Sequence, residues 1–378
     1  METIVGFHED GGIKLILPFY QHLPTDKHLH YHMNGILKKV INFNNKGMIV
    51  GNLLEFFNDA TVSYKGRYIN GKKYGLHYSY YSNGQTKEVV NYLYGRLNGY
   101  CYNYHENGGI KCIKKMSFGK LNGQISYYWE NGLPKYRANF QYNVLHGSFK
   151  LYHENGQQFI TGQYNFGVPD GYFRFYGTDG VILKRLKITD GRKNGVFIEW
   201  HPNAVLKKYC NYSYDILDGS YQEWFSNNQL KISTSFVNGK MDGLCCYYYC
   251  NGSKHYEAEY RMGAIDGYYK EWNDSGVLII EAQYINGIMD GYLREFYDNG
   301  FKRYETNYKN GEFDGIYREF YYNGGLKHEY LKKDDLNLET LKKFNISGII
   351  NNHIILLGDL KYEKIFDKDG NVISWTLN

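Results

Sequence analysis

The sequence predicts an all-β protein: an elongated, twisted antiparallel sheet built from tandem β-hairpin repeats of 24 residues. Three observations predict it. Glycine columns recur with an unbroken 24-residue spacing, an aromatic residue has a fixed place in the repeat, and tyrosine (42) and glycine (43) are abundant while proline (5) is scarce. Aromatic residues favour strands and glycine favours tight turns. A repeat of this kind implies one growing array rather than several independent domains.

Three glycine columns set the phase of the repeat. The first column has eleven members and no exception: Gly75, Gly99, Gly123, Gly147, Gly171, Gly195, Gly219, Gly243, Gly267, Gly291 and Gly315. The second covers positions 84–324 and the third positions 71–311, and four other residues stand in them: Ala204 and Asn228 in the second, Asn143 and Asp215 in the third. Asn and Asp are the residues that, after glycine, best tolerate a left-handed backbone. Each repeat is therefore expected to contain two turns.

One of these turns is an Asn-Gly pair between two strand-like segments, and the other is a longer loop such as Asn238–Gly243. A two-residue Asn-Gly loop would place Glu199 opposite Lys208, whereas a three-residue loop would place Glu199 opposite Lys207. The three-residue loop also forms five further matched pairs: Glu223–Lys231, Glu295–Arg303, Glu319–Lys327, Leu151–Phe159 and Phe175–Leu183. Because cross-strand pairing favours such matches, we predict a three-residue loop, a type I turn with a glycine bulge.

This register predicts two unlike faces of the sheet. One face would carry a column that is aromatic in eleven repeats: Tyr80, Tyr104, Tyr128, Tyr152, Tyr176, Trp200, Trp224, Tyr248, Trp272, Phe296 and Phe320. It would share that face with a second column, which includes Tyr92, Phe140, Tyr164 and Tyr212, and with a column of small residues, which includes Ala138, Gly162, Cys210 and Ala258. The Glu–Lys pairs would lie on the opposite, solvated face. Curling of the sheet is expected to bury the aromatic face, and the alternative is that part of it stays open as a groove for a partner.

The repeat weakens towards both ends, which divides the chain into three parts. Residues 1–50 are interpreted as degenerate repeats that form an N-terminal cap, residues 51–332 as the tandem array, and residues 333–378 as a C-terminal cap. Within the last part, Leu336–Phe344 is predicted to form a short helix, and an Asp-Gly pair at 369–370 a last hairpin turn. Such caps protect the exposed edges of an array from pairing with other chains.

Charge, hydropathy and cysteine content limit the classes of function. A formal net charge of +5 over 378 residues, without a run of five or six like charges, argues against nucleic acid as a partner. The sequence opens with no basic and apolar leader, contains no apolar stretch of the ~18 residues that a membrane span needs, and shows no disulfide spacing among its six cysteines. These features predict a cytoplasmic protein that is neither secreted nor membrane-spanning.

Two recurring carboxylate columns have structural interpretations that we prefer to catalytic ones. Most glutamates of the first column would face a Lys or Arg, as surface ion pairs do; the column comprises Glu199, Glu223, Glu271, Glu295 and Glu319. The aspartates of the second column precede the loop glycines and fit turn chemistry: Asp242, Asp266 and Asp290. A catalytic site needs one unique constellation, which a uniform array does not offer.

Two clusters contain metal-binding residue types: His28, His30 and His32 in one, and Cys245, Cys246, Cys250 and His255 in the other. The first lacks a carboxylate or cysteine to complete a ligand set, and the second lacks zinc-site spacing. Cys245 also shares its column with Phe149 and Tyr221, which predicts packing in an apolar slot. Nucleotide-binding and hydrolase motifs are missing too, so we predict no catalytic, cofactor-binding or metal-binding residues, and no enzyme.

The repeat Gly291–Gly315 resembles the MORN repeat, and more closely its variant with an aromatic residue shortly after the first glycine and an Asn-Gly pair beyond it. The resemblance covers about residues 47–332. It implies an antiparallel sheet of successive hairpins, but no shared activity. Family members act in protein–protein contacts, some are linked to membranes or phosphoinositides, and bacterial relatives of the variant carry antitoxin-like names. The Tyr-, Asn- and Lys-rich composition also resembles that of proteins from giant DNA viruses of amoebae.

These observations predict a non-enzymatic scaffold that binds a protein partner through its concave or edge surfaces. Two alternatives are kept. The first is peripheral binding to an anionic membrane surface, which the slight basic excess and the expected exposure of Tyr and Trp residues favour. The second is an antitoxin-like inhibitor, which rests on the resemblance alone. No cofactor is expected, and self-association into a homo-oligomer is left open.

Overall fold

The computed structural model describes residues 1–333 and 338–378, and every regular element in these ranges is a β-strand. Successive strands pair as antiparallel hairpins, so the predicted all-β fold class is confirmed. The chain divides into an N-terminal unit, Met1–Arg192, and a C-terminal unit, Lys193–Asn378.

The strands of the N-terminal unit are Glu2–Phe7, Ile13–Tyr20, Leu23–Pro24, Asp26–Tyr31, Leu37–Phe43, Gly51–Phe56, Val62–Ile69, Lys72–Tyr80, Thr86–Leu93, Arg96–Leu97, Gly99–Tyr104, Ile110–Ser117, Lys120–Tyr128, Pro134–Gln141, Val144–Tyr152, Gln158–Asn165, Val168–Pro169, Gly171–Tyr176 and Ile182–Thr189.

The strand Arg192–Trp200 begins at the unit boundary. The strands that follow are Leu206–Ser213, Ile216–Trp224, Leu230–Val237, Lys240–Met241, Gly243–Tyr248, Lys254–Arg261, Ala264–Trp272, Leu278–Ile285, Ile288–Phe296, Lys302–Lys309, Glu312–Phe313, Gly315–Phe320, Leu326–Lys333, Leu338–Phe344, Ile350–Leu357, Leu360–Phe366 and Val372–Leu377.

The Asn-Gly turn of each repeat has the predicted three-residue loop. In the first complete repeat, the N–H of Tyr81 donates to the carbonyl of Gln85 at 2.8 Å, and the N–H of Gly84 donates to the carbonyl of Tyr81 at 3.0 Å. Gly84 is left-handed, with a φ of +84°. Ala204 and Asn228, which replace this glycine elsewhere, adopt φ values of +62° and +67°. The type I turn with a left-handed bulge residue is therefore confirmed.

A second bulge, just inside this turn, makes the predicted strand register wrong. Trp200 pairs with Leu206, but its neighbour Glu199 pairs with Lys208, so Lys207 is an extra residue in its strand. A bulge sets two residues against one, and the predicted contact therefore survives: Lys207 Nζ lies 2.8 Å from Glu199 Oε1. The same register shift recurs in the other repeats.

Because of the second bulge, the columns are also distributed over the two faces of the sheet differently from the prediction. Gly195 pairs with Tyr212, so the Tyr212 column lies on the same face as Gly195 and the residues that alternate with it. Trp200 lies an odd number of positions away and therefore lies on the other face. The prediction that the Trp200 and Tyr212 columns share a face is wrong, because a one-residue slip exchanges the two faces of a strand.

The core lies on the face that carries Tyr212. Most of its buried residues come from two paired columns, one of which lies two positions after the loop glycine. That column includes Leu53, His77, Cys101, Ile125, Phe173, Phe197 and Cys245, and the other includes Val90, Ala138, Leu186, Cys210, Ala258 and Ala282. Phe173 lies over Gly162, where a Cβ would overlap the phenyl ring. Large and small side chains thus interdigitate as predicted, although the large residues are not those of the Trp200 column, which is half-buried on the other face.

The other turn of each repeat is tighter than predicted. Asn238 and Gly239 have φ values of +49° and +80°, and the residues that flank them pair directly, which defines a two-residue type I′ turn. Asn143 and Asp215, at the glycine position of this turn, have φ values of +72° and +73°. Their predicted tolerance of a left-handed backbone is therefore confirmed.

The ends of the chain continue the hairpin pattern. The predicted short helix is wrong over Leu338–Phe344, which is a strand paired on both sides, with Leu326–Lys333 and with Ile350–Leu357; residues 336–337 lie outside the described ranges. This pairing outweighs local helix preference. The predicted last hairpin turn is confirmed by a 3.1 Å hydrogen bond from the N–H of Gly370 to the carbonyl of Asp367. The division into caps and array stays a prediction.

Candidate interaction surfaces

The type I′ turns of the N-terminal unit present large side chains to solvent. The first turn residue is aromatic in four consecutive repeats, with 58–71% of each residue exposed: Tyr94, Phe118, Tyr142 and Phe166. Neighbouring repeats are two strands apart, so these side chains follow each other at roughly 10 Å. We call these four residues the aromatic turn edge.

The backbone at the aromatic turn edge is left-handed, which bulky residues disfavour. The φ values of the four residues are +50°, +47°, +49° and +43° in chain order. In several other repeats the same position is Asn, as at Asn238, Asn286 and Asn310, with φ values of +49° to +50°. Asn tolerates this conformation and a large aromatic residue does not, so the four residues of the aromatic turn edge carry backbone strain that Asn avoids at the same position. Tyr214 and Met262, with φ values of +47° and +51°, carry the same kind of strain singly in the C-terminal unit.

Hydrogen bonds from the preceding repeat hold these strained turns in place. The N–H of Gly119, in the turn of Phe118, donates to the carbonyl of Leu97 at 2.7 Å. The N–H of Phe118 itself donates to Oδ1 of Asn98 at 3.3 Å. The corresponding bond at Phe166 is accepted by a ring nitrogen of His146. The turns are therefore fixed relative to one another within the unit rather than being independent loops.

The surroundings of the aromatic turn edge are basic and apolar. Arg96 and Lys120 follow the turn glycines directly and are exposed, and Val144 and Val168 take their place in the next two repeats at 40% and 43% exposure. Lys120 Nζ lies 6.0 Å from the ring centroid of Tyr142, within the range of a cation–π contact.

The opposite edge, at the Asn-Gly turns, uses its polar groups internally. The Asn side chains of successive turns each donate to a carbonyl of the following repeat: Asn83 to Glu106, Asn107 to Glu130, Asn203 to Ser226, Asn251 to Asp274 and Asn299 to Tyr322. A second ladder starts from the residue after the aromatic column, as from Tyr81 to the carbonyl of Tyr104 at 2.8 Å. These groups join repeats and are not free for a partner.

The glutamate column forms the ion pairs that its sequence pattern predicts. Besides Lys207–Glu199, the pairs Arg303–Glu295 and Lys327–Glu319 measure 3.4 and 2.7 Å. Burial alone would raise the pKa of Glu319, but its bonds to Lys327 and His328 outweigh burial and lower the pKa. A glutamate held ionised in this way is a poor general acid near neutral pH.

The predicted aspartate turns and the two candidate metal clusters also have structural roles. Asp242, Asp266 and Asp290 each accept a backbone N–H from the next repeat's turn, at 3.0–3.2 Å. Nε2 of His28 lies within hydrogen-bond distance of the carbonyl of Pro18, and Nε2 of His32 lies within hydrogen-bond distance of the carbonyl of Phe56. Cys245 is fully buried, as predicted from its column, whereas Cys250 is exposed. Among the described residues, no group of three His, Cys, Asp or Glu side chains is placed to hold a metal ion.

One buried histidine was missed by the sequence analysis. His77 is 1% exposed, its Nε2 meets the carbonyl of Arg67 at 3.0 Å, and its Nδ1 meets the hydroxyl of Tyr64. Burial lowers the pKa of His77. Gly66 leaves the space that the ring needs, since a Cβ there would overlap it. The signal was available in the sequence, because His77 stands in the core column of Cys101 and Phe173 with Gly66 paired opposite.

The comparison with protein-family models finds one repeat type at two places in the chain. The family model of the MORN repeat variant matches residues 145–165 and 265–286. Both matches fall on the hairpin repeat described above, so the resemblance to this repeat is supported at two places in the chain. The match supports neither a viral origin nor an antitoxin link. The comparison with curated proteins finds no similar sequence.

Solved structures show only a distant likeness. The crystal structures of TcdB2-TccC3-TEV and TcdB2-TccC3-Cdc42 are each 10% identical over 98% of this chain, with TM-scores of 0.16 and 0.17. The Photorhabdus luminescens Tc holotoxin pore is 10% identical over 98% of the chain, with a TM-score of 0.15. The chain spans only 22–27% of the length of these proteins. Similarities at this level establish no shared fold. Within the described ranges, no helical segment has the length and hydropathy of a membrane span.

Proposed function

We propose that this chain is a non-enzymatic repeat scaffold that holds a partner protein along the aromatic turn edge. The observation that carries the proposal is the set of four exposed aromatic residues in a left-handed backbone: Tyr94, Phe118, Tyr142 and Phe166. Backbone strain that contributes nothing to the core is typically retained where it serves function.

The chemistry of the edge suits a protein partner. Exposed Tyr and Phe side chains supply much of the binding energy at protein interfaces, because they bury a large area at low cost in side-chain entropy. Four of them in line, interleaved with Arg96 and Lys120, form a ridge about 29 Å long by the strand spacing, about the span of an ordinary interface. The repeat-to-repeat hydrogen bonds provide the rigidity that such an interface needs.

A second candidate function is peripheral attachment to an anionic membrane. Tyr and Phe beside Arg and Lys also suit the interface between lipid headgroups and acyl chains. The observation that favours it is the exposure of Arg96 and Lys120 next to Tyr94 and Phe118. A flat ridge of this kind contacts either a protein surface or a bilayer, so the experiment must include both.

The experiment uses the full chain with a photo-reactive amino acid at position 120, beside the aromatic turn edge, or at position 288. Position 288 is the matched control, because it follows a turn of the same type that carries Asn286. In lysate of the native source, we expect discrete cross-linked proteins from position 120 and few from position 288. The adducts should disappear when all four aromatic residues are replaced by Asn. Flotation with phosphatidylcholine vesicles, with and without phosphatidylserine, tests the membrane candidate.

Adducts from position 120 that persist in the four-Asn variant, or equal adducts from position 288, would contradict the proposal. Flotation with phosphatidylserine vesicles that is lost in the four-Asn variant would favour the membrane candidate instead. The four-Asn variant is expected to fold, because Asn already occupies this position in other repeats.

A further inference from the structure

The central row of the face opposite the core differs in charge between the two units. In the C-terminal unit, successive cross-strand partners along this row alternate in sign: Glu257, Lys270, Glu281, Arg294, Glu305, Arg318 and Glu329. Each cation lies between acids, as Arg318 does at 3.3 Å from Glu305 and 2.9 Å from Glu329. The row is therefore neutralised within the fold.

The corresponding row of the N-terminal unit lacks the acids. Arg137 pairs with Lys150, Lys150 with Thr161, Thr161 with Arg174, and Arg174 with Arg185. Directly opposed like charges destabilise a sheet. Within this unit, which is described in full, no ion pair joins these four cations to a carboxylate, and Nε of Arg185 is buried without a hydrogen-bond partner. We call Arg137, Lys150, Arg174 and Arg185 the cationic row.

The side chains around the cationic row are neutral hydrogen-bonding groups and aromatic rings. Ser148, Thr161 and Gln163 line a depression together with Lys150 and Arg174. Rings hold the guanidinium groups in place: Arg137 lies 6.0 and 5.8 Å from the centroids of Tyr128 and Tyr152, and Arg174 and Arg185 each lie 5.9 Å from that of Tyr172. A set of cations kept in place without acids is suited to an anion from outside the chain.

The charge of the cationic row suits phosphate monoesters better than singly charged anions. Thr161 separates two facing pairs, Arg137 with Lys150 and Arg174 with Arg185. Each pair presents two positive charges, which a phosphate monoester of charge about −1.5 to −2 neutralises better than a carboxylate or a phosphodiester of charge −1 does. The centres of the two pairs lie three strand spacings apart, roughly 14 Å, which an extended peptide covers in about four residues.

From these observations we propose that the cationic row binds a segment of a partner protein that carries two phosphorylated side chains about four residues apart. Each phosphate is held by one facing pair, and Thr161 and Ser148 donate hydrogen bonds between them. The site lies on a different surface from the aromatic turn edge and stands independently of the function proposed for that edge.

Fluorescence anisotropy of the full chain with a labelled peptide tests this proposal. The probe carries two phosphoserines four residues apart in a Gly/Ser background. Two comparison peptides are used: one carries the phosphoserines two residues apart, and the other carries Glu instead of each phosphoserine. Single-stranded DNA and phosphatidylserine vesicles are tested as further ligands. At low ionic strength, we expect the first probe to bind at least about tenfold more tightly than the others, since charge-assisted bonds to both pairs are lost in each comparison.

The decisive variant is Thr161→Glu, which reproduces the alternating row of the C-terminal unit. It is expected to raise the unfolding midpoint and to weaken peptide binding at least about tenfold, so that loss of binding is not loss of folding. Arg174→Lys should retain part of the binding, and Lys46→Glu, which is exposed and outside the row, should retain all of it. Equal binding by Thr161→Glu, or no binding by the wild type, would overturn the proposal. Tighter binding of DNA or vesicles than of the peptide would overturn the class of partner.

Discussion

The carboxylate of Asp242 accepts a 3.0 Å hydrogen bond from the backbone N–H of Met262, which lies one repeat further along the chain. Met262 is the left-handed first residue of its turn, with a φ of +51°. The aspartate of one repeat therefore helps to fix the turn of the next, and the same contact recurs at Asp266 and Asp290. Stability of a turn in this protein thus depends on the preceding repeat, as expected for a linear array.

Replacement of Asp242 by Ala should lower the free energy of unfolding by about 1 kcal/mol, because the N–H of Met262 loses its partner. Asn122 stands at the same position of its repeat and makes no such bond in the fully described N-terminal unit, so Asn122→Ala is the matched control. Urea unfolding measures both. An equal effect of the two substitutions would show that the hydrogen bond is not the cause.

Replacement of Phe118 by Asn should raise the free energy of unfolding by about 1 kcal/mol, because Asn relieves the cost of a left-handed aromatic residue. Phe118 is 59% exposed, so little packing is lost. Phe118→Ala separates the two contributions, since it removes the ring but keeps a residue that disfavours this backbone. If Phe118→Ala raised the free energy of unfolding as much as Phe118→Asn, the strain would come from the contacts of the ring and not from the backbone.

Replacement of Gly162 by Ala should destabilise the protein by about 1–3 kcal/mol, because the added methyl group overlaps the ring of Phe173 in a packed core. The double variant with Phe173→Leu should recover part of the loss if the overlap is the cause. Thermal unfolding checks both variants. A neutral Gly162→Ala would contradict the close packing of the paired core columns.

Acidification should weaken the fold through His77. Its pKa in the folded state is lowered by burial, whereas in the unfolded chain it is about 6.5. Below that value the unfolded state binds more protons, so the free energy of unfolding falls as the pH drops from about 7 through the folded pKa, and is unaffected by this group at higher pH. His77→Leu should reduce this pH slope, and His30 and His353, whose pKa values are also lowered by burial, should contribute to the slope that remains. An unchanged slope in His77→Leu would assign the pH dependence to other groups.

The repeat, the turn positions and the class of fold can be predicted from the sequence, because each depends on residues that are close together in the chain. Ala204 and Asn228 keep the left-handed bulge of glycine, and Asn143 and Asp215 keep the type I′ turn. The register is less local: Lys207 and Lys208 both face Glu199 across a bulge, and charge matching alone cannot tell one from the other.

Neither the cationic row nor the aromatic turn edge was predicted from the sequence. The cationic row depends on the strand register, and the aromatic turn edge depends on the backbone conformation of the turns. The cationic row appears only when Arg174 and Arg185 are placed opposite each other, which requires the bulge. The aromatic turn edge had a usable signal: Asn238, Asn286 and Asn310 stand at the position of Phe118 and mark it as left-handed. The strand Leu338–Phe344 had no usable signal in the sequence, because its structure is decided by its pairing with strands on both sides.

The central claim is that the aromatic turn edge is kept for binding at the expense of stability. The most direct measurement compares wild type with the variant Tyr94→Asn, Phe118→Asn, Tyr142→Asn and Phe166→Asn in urea unfolding, together with cross-linking yield from position 120 on the same preparations. The account predicts a higher unfolding midpoint and loss of the cross-linked partner in the variant. A lower midpoint, or a partner that is retained, would contradict it.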